Sequence, residues 1–218
     1  AWAERVEQLL GHKGDLWRWQ NSQAIRRELD VEMRFYVLHR NGAPFANMMT
    51  ATRAGVGHFG HVWTNPADRR QGAASQLMGL QMAHFRESGG RALFLGTGFD
   101  SAAYHIYASH GFAGIEEMSG NMEYYAASRE GFEAEYFAAG PTELQEAGWK
   151  HWPATAALFL GDYPGTVRCA PVGLFGRSST EHAMLEVILE GERRQKEGVD
   201  PKCSVLMQTD SQAAAGLA

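Results

Sequence analysis

Thr64-Asn65-Pro66-Ala67-Asp68-Arg69-Arg70-Gln71-Gly72-Ala73-Ala74-Ser75 is the stretch on which the reading of this chain turns. A run of strand formers, His58 to Thr64, leads into it. A helix leaves it, because Ala74, Leu77, Met78, Met82 and Phe85 fall close to one face between Ala73 and about Glu87. The first turn of such a helix has unpaired N–H groups and the positive end of the helix dipole, so it can hold a phosphate. Gly72 and the small Ala73, Ala74 and Ser75 let a ligand approach the backbone, and Arg69 and Arg70 add charge.

Upstream, Val6, Leu9 and Leu10 fit one helical face, and Trp17, Trp19, Ile25 and Leu29 mark a second helix. Met33 to Leu38 is strand-like, Asn41-Gly42 is a hairpin signal, and Phe45 to Thr52 is the return strand. Gly55-Val56-Gly57-His58-Phe59-Gly60 matches the dinucleotide pattern GxGxxG, but a strand follows it instead of a helix, and Gln76 to Met82 supply no acid. It reads as a turn between antiparallel strands. Downstream, Gly89-Gly90 stops the central helix and Ala92-Leu93-Phe94-Leu95-Gly96 is a short buried strand. A helix from Ser101 to Ser109 and a hairpin around Ser119-Gly120 complete the first 125 residues. The fold class is α+β, a mixed sheet flanked by helices, with a smaller α/β segment after it.

Composition narrows the function. The 218 residues carry a net charge of −5, against a dedicated nucleic-acid binder. No apolar run approaches the length of a membrane span, and no secretory signal is visible. Cys169 and Cys203 alone make neither a disulfide framework nor a four-ligand zinc site, so a reducing, cytoplasmic setting without a metal is expected.

Arg69-x-x-Gly72-x-Ala74 resembles the (Gln/Arg)-x-x-Gly-x-(Gly/Ala) acetyl-CoA signature of the GNAT superfamily of N-acetyltransferases. Asp100-Ser101-Ala102-Ala103-Tyr104-His105-Ile106-Tyr107-Ala108-Ser109-His110-Gly111-Phe112 resembles that family's Asn-x-x-Ala-x-x-x-Tyr-x-x-x-Gly-Phe helix. The two motifs are in register and the order of elements matches over residues 1–126. The resemblance implies a sheet that splays open after its fourth strand, with acetyl-CoA in the gap. It implies that the amides of Gly72, Ala73, Ala74 and Ser75 bind pyrophosphate beside Arg69 and Arg70. The Val62, Trp63 and Thr64 backbone would pair with the pantetheine arm, with Asp100 and Ala103 flanking it from the second motif. Tyr107 would sit near the thioester sulfur and give a proton to the leaving thiolate. Asp100 departs from the family's frequent Asn and can accept a hydrogen bond but not donate one.

The implied reaction is direct attack of a primary amine or an amino terminus on the thioester, in a ternary complex. Several family members carry a basic glutamate on the third strand, and the matching position here is His58. Strand alternation groups His58 with Gly60, Val62 and Thr64, and His61 with Phe59 and Trp63. The base is therefore His58, His61, a water relay or a residue of the N-terminal helices. Opposite strand faces exclude a metal site at His58-x-x-His61. Trp17, Trp19, Gln20, Tyr124 and Tyr125 are candidates for the substrate pocket or for plain core. A rival reading is a non-catalytic acyl-CoA-binding module, since the third strand lacks a carboxylate.

Residues 127–218 form the second segment. Thr142 with Gln145 reads as a capping box opening a helix to about Leu160, broken or kinked at Pro153. Thr166 to Phe175 reads as extended, and Ser178 with Glu181 as a second capping box opening a helix to about Lys196. Cys203 to Gln208 and Ala213 to Ala218 read as two strands. The segment is either the first half of a second GNAT-like repeat or an unrelated extension. If it begins a second repeat, the sequence stops at that repeat's third strand, which would have an unpaired edge unless something covers it. The expectation is that the polypeptide continues, or that this edge packs on the first domain or on a neighbouring chain, as in a homodimer.

Overall fold

Helices α1 (Trp2–Leu9) and α2 (Asp15–Arg26) precede three antiparallel strands, β1 (Glu32–Arg40), β2 (Ala43–Arg53) and β3 (Val56–Thr64). A 3-10 turn at Pro66–Asp68 leads into α3 (Ala73–Glu87), and β4 (Ala92–Gly96), α4 (Ala102–Ala108), β5 (Ala113–Gly114) and β6 (Asn121–Tyr125) follow. The computed structural model describes residues 2–163, 168–169 and 173–217. The strands lie in the order β1-β2-β3-β4-β6-β5. β3 and β4 are parallel and their neighbours antiparallel, so the strand–helix–strand unit around α3 sits mid-sheet. This is the splayed mixed sheet flanked by helices that the motifs imply.

One face of the sheet packs on α3 and α4. Phe59 and Met48 meet Leu77, Met78, Met82 and Tyr107 there. The other face is covered by α2 and by the second segment. Its elements are α5 (Arg129–Tyr136), β7 (Thr142–Glu146), α6 (His151–Leu160), the β8–β9 hairpin (Arg168–Cys169 and Leu174–Phe175), α7 (Glu181–Lys196), β10 (Ser204–Gln208) and β11 (Ala214–Leu217). Val56, Ala92 and Phe94 pack on Phe132, Tyr136, Ala156 and Leu160, and Met49 and Ala51 on Trp152, Met184 and Leu185. Arg177 adds polar ties by donating to the carbonyls of Leu160 and Ile115.

Three expectations for this segment change. Residues 142–146 are a strand, since β7 pairs antiparallel with β10 from Thr142–Gln208 to Glu146–Ser204. The α6 helix starts only at His151, and Pro153 sits in its first turn, where no intrahelical N–H is needed. The helix therefore runs unbroken to Leu160. The second capping box does not form either: Thr180 is the N-cap of α7, and no side chain caps it. Of the stretch 166–175, residues 166–167 and 170–172 lie outside the described residues. The strands expected near the C-terminus form, as β10 and β11 pair antiparallel.

Candidate active site

Ladder pairing between β3 and β4 is confined to Val56–Ala92, Gly57–Leu93 and His58–Phe94. Past that point Leu95 and Gly96 stay with β6, while Gly60, Trp63 and Thr64 stay with β2. The gap is a cavity of about 250 Å³, walled by Lys13, Trp17, residues 59–62, Leu95, Gly96, Tyr107 and Glu181.

A β-bulge shapes the β3 wall. The register slips between Asn47–Trp63 and Met49–Gly60, so two residues of β3 oppose Met48. His61 takes a positive φ of 52° at that place, and the Asn47 amide donates to its carbonyl at 3.0 Å. The bulge breaks the simple alternation. His61 does not face the side of Phe59; its Nε2 meets Gln20 Oε1 at 2.7 Å, and Trp17 packs edge-on against its ring. Burial holds its pKa down to about 3.

His58 lies outside the cavity walls. It is fully buried, and its Nε2 donates to the Trp152 carbonyl at 3.2 Å, which leaves Nδ1 without a partner. Burial pushes its pKa to about 4, so the ring stays neutral near pH 7. The structure thus brings Tyr107 to the cleft and does not bring His58. Tyr107 is 5% exposed, edge-on to Phe59. Burial first, and the nearby Glu181 charge second, raise its phenol well above the ordinary value.

The phosphate-loop residues gather at one end of the gap. Gly72 has φ 80° and ψ 0°, and α3 starts beyond it without a side-chain cap. A Cβ built on Gly72 would meet nothing within 4 Å, so the loop is open on that side. Arg70 is also left-handed, at φ 61°. Arg69 donates from Nε to the Thr64 carbonyl at 3.0 Å, and its guanidinium lies over the Trp63 ring. Ala73 is buried in the core while Ala74 and Ser75 are more open. At the other motif, Asp100 has φ 56° and its carboxylate pairs with His105 Nε2 at 2.8 Å, at the surface. Ala103 packs beside Tyr107 in the core. An uncapped helix start beside an open glycine, and a β3 edge without a β4 partner past His58, suit the phosphates and arm of a coenzyme A thioester.

Of the substrate-pocket candidates, Trp17 lines the cavity and Gln20 hydrogen-bonds His61. Trp19 packs on Trp149, Tyr124 on Phe85 and Phe112, and Tyr125 on Phe94 and Phe132. Tyr124 is buried in the core, and Trp19 and Tyr125 are half-buried against it.

Glu181 was not a candidate from sequence, where its spacing from Ser178 reads as a cap. Its backbone N–H donates to Ser179 Oγ at 3.3 Å and its carbonyl accepts from Trp152 Nε1 at 2.9 Å. The side chain points into the gap, and a Cβ built on Gly60 would lie 2.5 Å from Glu181 Oε1. Burial raises its pKa from 4.5 to about 7, with Lys13 pulling the other way.

A model of the acetyltransferase (GNAT) family matches residues 3–112, just over half of the chain. The chain belongs to the GNAT acetyltransferase family. This GNAT chain resembles solved structures at low identity. A GNAT acetyltransferase from Staphylococcus aureus is 11% identical with a TM-score of 0.48, over 58% of this chain and 94% of that one. The ribosomal-protein-S18-alanine N-acetyltransferase of Escherichia coli is 16% identical with a TM-score of 0.46, over 58% and 88%. The PaiA N-acetyltransferase of Thermoplasma acidophilum, solved with coenzyme A, is 10% identical with a TM-score of 0.43, over 56% and 92%. No curated protein matches by sequence. Among the described residues no group of three or more His, Cys, Asp or Glu could hold a metal, and no helix is long and apolar enough to cross a membrane.

Proposed function

We propose that this GNAT acyltransferase moves an acetyl group from acetyl-CoA to a primary amine, on a small molecule or an amino terminus, by direct attack. The observation that carries this reading is the gap between β3 and β4, with the open helix start at one end and Tyr107 in its wall. The amides of Gly72, Ala73, Ala74 and Ser75 hold the pyrophosphate, with Arg69 and Arg70 adding charge, and the Val62–Thr64 backbone holds the arm. Asp100 and Ala103 border the arm from α4. The raised phenol of Tyr107 keeps its proton at neutral pH, ready for the departing sulfur. Residues 1–126 bind the thioester in this reading, and residues 127–218 form its back wall.

The test is thiol release from acetyl-CoA against a panel of primary amines and amino-terminal peptides. Wild-type protein is expected to turn over at least one acceptor. Tyr107→Phe is expected to lower kcat about a hundredfold with acetyl-CoA binding unchanged. Acetyl-CoA binding with no turnover on any acceptor would favour the binding-module reading instead.

A further inference from the structure

β3 carries no carboxylate between Val56 and Thr64, and its two histidines are occupied elsewhere, His58 on Trp152 and His61 on Gln20. The cavity nevertheless holds one acid. Glu181 reaches it from the start of α7, more than a hundred residues further along the chain. Its oxygen stands where a side chain on residue 60 of β3 would stand, and glycine at 60 leaves that space. The backbone is fixed by Ser179 on one side and the Trp152 indole on the other. α7 itself is seated by Met184, Leu185 and Ile188 against Trp152. The Glu181 backbone is thus fixed, and its side chain shares the cavity with Tyr107.

We infer that Glu181 is the proton acceptor for the incoming amine, so that the C-terminal segment completes the acyltransfer site. This rests on the acetyl-transfer reading above. The acceptor ammonium gives one proton to the Glu181 carboxylate. The freed nitrogen pair forms the C–N bond at the thioester carbonyl, and the C–S pair leaves with sulfur. The thiolate takes the Tyr107 proton, and the second N–H proton restores the phenol through solvent. Glu181 then releases its proton to water. One amine, one thioester and no further reactant are consumed, giving amide, thiol and one proton.

Among the described residues that line the cavity, few charged and titratable groups surround Glu181. Lys13 faces it from the α1–α2 loop, Tyr107 from α4 and His61 from β3, while α6 presents the neutral Trp152 indole. Lys13 acts across the cavity and favours the ionised form; burial opposes it more strongly. The carboxyl is half ionised near pH 7, where a proton acceptor for an amine works best.

The experiment is a pH–rate profile for wild type, Glu181→Gln, Gly60→Ala and Glu186→Gln on any acceptor that wild type turns over. Glu181→Gln is expected to lose about 100-fold or more in kcat, to keep its KM for acetyl-CoA within about twofold, and to lose the acid limb centred near pH 7. Gly60→Ala, which crowds Oε1, is expected to lower kcat and shift the limb while still binding acetyl-CoA. Glu186→Gln, exposed on the next turn, is expected to match wild type. Wild-type kcat in Glu181→Gln, or an unchanged acid limb, would overturn the assignment. Failure of the acetyl-transfer reading looks different: wild type itself would release no thiol with any acceptor, whether or not it binds acetyl-CoA.

Discussion

At Glu181 chemistry and stability pull in opposite directions, and the sign can be measured. The unfolded chain releases this proton near pH 4.5 and the folded chain near 7. Between those values the folded state binds more protons, so stability falls as pH rises through the window and stays lower above it. Glu181→Gln removes that penalty. The variant is expected to be more stable than wild type at pH 8, by roughly 1–3 kcal/mol, and equal to it at pH 4.5. Urea unfolding at the two pH values checks this, and an equal stability at pH 8 would mean an ordinary, solvated carboxyl. The motif read from sequence pointed to Tyr107, and Tyr107 lines the cleft. It did not find Glu181, because a Ser-x-x-Glu spacing before an apolar helix is also the pattern of a cap. Only the packing of α7 on the sheet turns that side chain inward.

Among the elements, the α3 start depends on backbone shape more than on side chains. Gly72 is left-handed, a conformation that costs a residue with a Cβ about 1 kcal/mol. Gly72→Ala is expected to lower stability by about that amount and to weaken acetyl-CoA binding about tenfold, as isothermal calorimetry would read. An unchanged affinity would show that the amides beyond Gly72 do not hold the pyrophosphate. The same element explains what sequence periodicity conveys. Helices α1 to α3 were legible from 3.6-residue apolar patterns, and strands β1 to β4 from runs of strand formers bounded by glycines and turns. The bulge at His61 was not, since one extra residue leaves composition unchanged while reversing every face beyond it. The 142–146 strand was missed for a related reason. Its partner, β10, lies about sixty residues away, and a mostly exposed strand shows little alternation of its own.

For the molecule as a whole, the back face of the sheet ties the two halves into one core. Met49, Ala51, Val56 and Phe94 are buried beneath α5, α6 and α7, with α2 sharing the cover of Met49. A chain cut after residue 126 is expected to aggregate or remain unfolded, checked by circular dichroism and gel filtration; a monomeric, cooperatively folded fragment would refute it. Acid acts on the same interior. His58 and His61 are neutral when folded, with pKa values near 4 and 3. The unfolded chain protonates both near 6.5, so each ring withdraws stability as pH falls below that value, roughly 2 kcal/mol by pH 5. Glu181 gains over part of this range, which softens the loss without reversing it. Denaturant midpoints at pH 7 and 5 are expected to fall with acid.

Trp152 links these scales. Its carbonyl receives His58 from β3, its indole holds the Glu181 backbone, and its ring fills the core between them. In a screen for inactive clones, substitutions in α6 would therefore sort with substitutions in the cleft, although α6 supplies none of the cavity's walls. A geneticist mapping such lesions would see one functional unit spread across distant codons.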